Sequence, residues 1–169
     1  MVRAMTFGRA LTPVFEDATA SMLFAENLAF VVWRGAPEAE HVRRWHRFAL
    51  EHGKGPHAPG LCVDIIVRGT PRFSDEMRQE TNRFASDTKV FPRGMAHVVL
   101  VGGLVGSAVR AFIGTVILVT KPVAPAKVFG DLDTASRWVL PLLAGTRWTA
   151  AEIRNLAVEA ANRPAPPNF

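Results

Sequence analysis

Leu61-Cys62-Val63-Asp64-Ile65-Ile66-Val67 is a nearly continuous apolar run, preceded by a loop carrying Pro56, Pro59 and Gly60 and followed by Gly69. A run of this length reads as a strand covered on both faces, the kind found in parallel sheets. Outward from it, short apolar stretches lead straight into amphipathic helical patterns four times between Leu28 and Leu143. A single, mostly parallel sheet with helices packed on it buries such stretches most economically.

Upstream, Ser21-Met22-Leu23-Phe24 and Leu28 to Trp33 are two apolar runs split by Glu26-Asn27, the pattern of a hairpin. Met1 to Thr19 reads as an extension or a first edge segment. Ala36-Pro37-Glu38 opens a helix whose buried stripe is Val42, Trp45, Phe48 and Ala49, ended by Gly53. Downstream, Ser74 is placed to cap a helix with Met77, Thr81, Phe84 and Ala85 on its inner side. Ala96 to Val101 reads as a strand, and Leu104 to Val119 as a helix so apolar that it should be the most buried one. Lys127-Val128-Phe129 is a short last strand. Asp131 or Asp133 then caps a helix containing Ala135, Trp138, Val139 and Leu142, and Gly145 closes the region. Thr149-Ala150-Ala151-Glu152 is a capping box for a final helix with Ile153, Leu156, Ala157 and Ala160. The Pro-rich end from Pro164 to Phe169 reads as disordered.

The expected organisation is an N-terminal extension over 1–19, an α/β domain over 20–145, and a C-terminal helix with its tail over 146–169. The expected sheet has four to five mostly parallel strands, with about four helices and an extra C-terminal one. At 169 residues, 49% hydrophobic and 21% charged, the chain has the composition of a globular protein rather than a disordered one.

Several function classes lose support at this level. Cys62, the lone cysteine, has no disulfide partner and reads as a buried thiol in a reducing compartment. Met1 to Ala20 carries Glu16 and Asp17 and lacks the apolar core of a signal peptide, so a cytoplasmic location is expected. The net charge of +5 comes from scattered arginines, with Arg43-Arg44 the only adjacent pair, and predicts no specific nucleic-acid binding. Val98 to Thr120 has Arg110 as its only charge, yet the glycine pair at 102–103 and the arginine itself favour strand, turn and buried helix over a membrane span.

No catalytic constellation assembles from spacing. His41, His46, His52, His57 and His97 make no HExxH motif, and no Gly-x-Ser-x-Gly elbow is present. His41 and His52 flank the first helix's inner stripe, His46 beside Trp45 is expected to face solvent, and His97 reads as a satisfied sheet residue. No catalytic residue, metal site or cofactor is predicted. Gly102-Gly103-Leu104-Val105-Gly106 follows a strand and opens a helix, as a dinucleotide loop does, but a glycine is wanting at Val101 and no acidic residue follows about twenty positions on. Tight turning explains these glycines. Gly102, Gly103, Gly106 and Ser107 are nevertheless the candidate ligand-binding residues, through amides free to hold an anion. Asp64 is the oddity: a carboxylate in an apolar strand must reach an edge or find a hydrogen-bond partner. Trp45 and Trp138 fit the core by helical spacing, and Trp148 is placed to clamp the last helix to the body.

A hairpin followed by four helices alternating with three further strands resembles the SpoIIAA-like fold shared by STAS and CRAL-TRIO domains. The local likeness is in Val128-Phe129-Gly130-Asp131-Leu132-Asp133-Thr134-Ala135 leading to Trp138, similar to the closing segment of bacterial STAS-like regulators. The resemblance implies a non-enzymatic regulatory or scaffolding domain that acts by protein contact, with an unidentified protein partner or a second copy of itself. The CRAL-TRIO side implies, as an alternative, a module for an apolar ligand, lipid or membrane surface, in a cleft between the helices at Leu104–Val119 and Ile153–Ala160. A small enzyme or nucleotide-binding protein, resting on Asp64, Ser107 and the glycine turn, is the third reading. In STAS regulators a serine opening a helix is phosphorylated; here that place is Ser74. Arg72 and Phe73 before it and Glu76-Met77 after it depart from the family pattern, and Asp75 and Glu76 would repel a phosphate.

Overall fold

The computed structural model describes residues 8–52, 60–69, 74–87, 93–143 and 147–166. Gly53, His57, Gly145 and the end of the Pro-rich tail lie outside the described residues.

Three strands come first: β1 (Thr12–Glu16), β2 (Ala20–Ala25) and β3 (Leu28–Trp33). They pair antiparallel in succession, β2 and β3 through the two-residue turn Glu26-Asn27, where Glu26 sits at φ 48°. The segment ahead of the hairpin thus supplies an edge strand. Then α1 (Ala39–His52), β4 (Leu61–Ile66), α2 (Asp75–Ser86), β5 (Met95–Val99), α3 (Gly103–Thr120) and β6 (Ala126–Phe129) alternate. The chain ends with α4 (Leu132–Val139), a 3₁₀ turn at Leu140–Leu143 and α5 (Ala150–Asn162).

The six strands lie in sequence order, β1-β2-β3-β4-β5-β6. β3 through β6 are parallel neighbours and the first three strands antiparallel ones. The protein is therefore α/β, and its described residues form a six-stranded mixed sheet and five α-helices. The expected four to five strands fell short because β1 contains Pro13 and a bulge before Phe15, which break the alternation that marks a strand.

Successive crossovers step the same way across the sheet, so one fixed hand puts α1, α2 and α3 on one face. Even-numbered residues of β2 and β4 and odd-numbered ones of β3 and β5 point to that face. Met22, Phe24, Ala29, Val31 and Cys62 pack there on Trp45, Phe48 and Ala49 of α1 and Phe84 of α2. Ile66 and Val99 meet Val109 and Ile113 of α3. Leu23, Phe30, Leu61, Val63, Ile65 and Val98 point the other way, onto Ala135 and Val139 of α4 and Ile153, Ala157 and Ala160 of α5.

The helix ends follow the capping chemistry. Ser74 Oγ accepts the Met77 N–H at 3.1 Å, Asp131 rather than Asp133 caps α4, and Thr149 and Glu152 form the reciprocal box of α5. Trp148 is buried and donates from Nε1 to Asn27 Oδ1 at 3.1 Å, with the Arg9 guanidinium over its ring, so it does clamp α5 to the hairpin turn.

Two expectations about α3 are overturned. It is not the most buried helix: only Gly106, Val109 and Ile113 are buried, while Leu104 is 90% exposed and Leu118 and Val119 are each 76% exposed. Nor does it form a cleft with α5, which lies across the sheet on the opposite face. Among the described residues α3 is the one helix long and apolar enough to cross a membrane. Yet β5 and β6, the strands it joins, are hydrogen-bonded neighbours, and its buried side chains lie on the sheet beneath. Crossing a bilayer in this arrangement would carry the sheet and its polar loops into hydrocarbon.

Candidate functional site

In β4 the alternation Cys62, Asp64, Ile66 places the one charged residue of the strand on the face beneath α1, α2 and α3. Parallel register sets Val31, Asp64, His97 and Val128 side by side across four strands. Asp64 and His97 are thus direct cross-strand neighbours, and Asp64 Oδ2 lies 2.6 Å from His97 Nδ1. The other carboxylate oxygen, Oδ1, accepts the indole N–H of Trp33, at the end of β3. Each side chain of the pair is only 16% exposed.

A carboxylate only accepts, so His97 Nδ1 must donate. In the neutral ring, donation from Nδ1 leaves the lone pair on Nε2. Nε2 has no partner among the described residues. This arrangement also answers the question Asp64 posed from sequence: it neither reaches an edge nor goes unpaired, but takes two N–H donors.

Above the row the sheet is incompletely covered. α1 and α2 pack together on the β2–β4 side, while α3 packs on β5 and β6. Between them is a cleft of about 200 Å³, floored by Asp64, His97, Cys62 and Trp33 and walled by Met77, Thr81 and Phe84 of α2 and Ile113, Val116 and Ile117 of α3. Its lining is overwhelmingly apolar. One polar atom in the wall is orphaned: Thr81 Oγ1 is buried and has no hydrogen-bond partner. Arg68, two residues beyond β4 on the same face, lines the cleft and is exposed.

The other titratable groups nearby are structural. Burial pushes the Cys62 thiol well up, and the neighbouring Asp64 charge adds to this, so Cys62 stays a neutral thiol. His41 accepts the Glu38 N–H at Nδ1 and therefore donates from Nε2 to Asp17, 3.1 Å away. His46 does not face solvent as expected. Its Nε2 is 3.1 Å from Asp87 Oδ2 and its ring meets Phe84 edge-on, because α2 packs over the side of α1 that carries it. The side chain of His52 lies outside the described residues. No group of three His, Cys, Asp or Glu side chains among the described residues is arranged to hold a metal ion.

The residues singled out from sequence fall elsewhere. Gly102, Gly103, Gly106 and Ser107 form the start of α3 and do not line the cleft. Gly103 needs its left-handed φ of 65°, and a Cβ on Gly106 would stand 1.7 Å from the Val101 carbonyl oxygen, so both glycines are required by the turn itself. Ser107 Oγ accepts from Arg110 at 3.0 Å. Ser74 is an exposed N-cap outside the cleft. Sequence reading singled out Asp64 but did not pair it with His97, Trp33 or Thr81. The available signal was parity: both residues lie inside consecutive strands of one parallel sheet, where matched depth means contact.

No family model, curated protein or solved structure matches this chain.

Proposed function

We propose that the protein is a ligand-binding domain, taking into the cleft a small, mostly apolar molecule that carries one polar group. The observation that carries this reading is the Asp64–His97 pair on the floor of an apolar cleft. Pockets for small molecules combine apolar walls with a few fixed polar groups, and a cavity of about 200 Å³ suits one ring with a short side chain. The resemblance of 128–138 to STAS-like regulators adds a context in which such binding would be read out by other proteins.

4-Ethylphenol is a fitting probe, with an apolar body and one O–H for His97 Nε2. Calorimetry is expected to show saturable one-to-one binding, with Kd on the order of micromolar to millimolar. Val116→Trp, which fills the cleft from α3, should abolish it. Absence of saturable binding, or binding unchanged in the Trp variant, would contradict the proposal.

A second reading is the protein-contact role implied by the STAS-like resemblance, in a regulatory or scaffolding domain. It is favoured by one observation, the outward face of α3 with Leu104, Leu118 and Val119 uncovered. A monomeric chain that recovers no stoichiometric partner would remove it.

A further inference from the structure

We infer that the cleft is a proton-transfer site, with His97 as general base, Asp64 as its positioning residue, and a small apolar carbonyl compound with an enolisable C–H as substrate. The inference rests on the ligand-binding reading of the same cleft and adds chemistry to it. Three features of the site lead there. The Asp64 carboxylate, itself held by the Trp33 indole N–H, holds His97 Nδ1 as a donor, so that the neutral ring carries its lone pair on Nε2. That is the arrangement in which an imidazole accepts a proton while a carboxylate offsets the charge it gains. The lining is apolar, so a charge developing on a substrate would find little water and would depend on fixed groups. Thr81 lines the same wall, and its buried hydroxyl, without a partner among the described residues, is an O–H donor that a turn of the side chain would bring to the cleft.

The step closes without any other reactant. His97 Nε2 takes the proton from the carbon next to the carbonyl. The C–H bonding pair becomes the new C=C bond as the carbonyl π pair moves onto oxygen, where the Thr81 hydroxyl donates to it. The imidazolium, paired with Asp64, returns the same proton to that oxygen, giving the enol. The enol O–H exchanges with solvent, and the reverse path, drawing on that exchanged position through His97 Nε2, restores the ketone. Nothing is oxidised or reduced, and in deuterium oxide the returning nucleus is a deuteron, which stays on carbon.

The test is hydrogen–deuterium exchange at the benzylic methylene of benzyl methyl ketone and of phenylpyruvate, followed by proton NMR in deuterium oxide. The wild-type protein should accelerate exchange with saturation for at least one of them. His97→Gln should lower the rate by about a hundredfold or more. Asp64→Asn should reduce kcat while leaving KM within about twofold, because it acts on the orientation of the base and not on substrate contact. Circular dichroism melting checks that each variant folds. Should either variant fail to fold, inhibition of wild-type exchange by 4-ethylphenol decides, since the inhibition constant must equal its Kd for the cleft. Exchange at the buffer rate for both ketones, with 4-ethylphenol still bound, overturns the inference and leaves the binding reading standing. Exchange that persists in His97→Gln or escapes inhibition also overturns it. Loss of 4-ethylphenol binding as well takes both readings down.

Discussion

An aspartate at position 64 costs the sheet what a valine would not. Its charge must be held by Trp33 Nε1 and His97 Nδ1, and both donors depend on it in return. Removing one member of such a group is expensive, whereas removing the group together is often neutral. Asp64→Val should therefore destabilise by about 2–4 kcal/mol, since it strands two N–H donors. Adding His97→Val should restore about half of that loss, Trp33 Nε1 still lacking its acceptor, and the double variant should no longer bind 4-ethylphenol. Urea midpoints of the single and double variants check the first part. A double variant as unstable as the sum of the singles would mean that the two side chains are not coupled. Asp17 shows the contrasting, purely structural use of a carboxylate. Partial burial pushes its pKa up, but the N–H of Ala20, the His41 ring and the N–H of Thr19 outweigh this and hold it below its ordinary value. A depressed carboxylate contributes stability above its unfolded pKa and loses it as pH falls through the folded one. Asp17→Asn should thus be less stable than wild type at neutral pH, and the gap should close as the pH drops below about 4; denaturant titrations across that range measure it.

At the scale of elements, what the sequence made legible was the type and order of the segments. The apolar runs at Leu28–Trp33 and Leu61–Ile66 were unmistakable, and the caps at Ser74 and Thr149 were named by their own chemistry. The position of α3 was not legible. Its residues are apolar nearly all round, which by composition reads as burial, but burial depends on what lies over a helix, and no described residue covers Leu104, Leu118 and Val119. The Asp64–His97 pair was hidden for a related reason: residues 33 positions apart meet only through strand register, which the hydrophobic pattern does not print directly. The start of α3 offers a sharp check on the packing. Gly106 lies against the Val101 backbone, whereas a Cβ at Gly114 would meet nothing within 4 Å. Gly106→Ala should cost about 3 kcal/mol, the upper end for overpacking, because a backbone carbonyl cannot move aside. Gly114→Ala should instead stabilise by about 0.4–1 kcal/mol. Thermal melts of the two variants should move in opposite directions; equal shifts would mean that α3 does not press its N-terminal turn on the sheet.

For the whole molecule, the two faces of the sheet are finished differently. α4 and α5 close one face over Phe30, Leu61, Val63 and Ile65, with Trp148 and Asn27 locking the arrangement. The other face is shared between α1–α2 and α3, and the space between them opens on Val31, Asp64 and His97 of the cross-strand row, while Val128 lies under α3. The larger buried cluster thus lies on one side of the sheet and the cleft on the other, where rigid strands and walling helices would hold a site in place. The most direct test is the long-range proton–nitrogen spectrum of the His97 imidazole at mildly alkaline pH, with and without 4-ethylphenol. The expected result is a ring protonated at Nδ1, with the Nε2 resonance displaced as the phenol saturates. A ring protonated at Nε2, or an Nε2 signal unmoved at saturation, would contradict a binding site organised by Asp64 and His97.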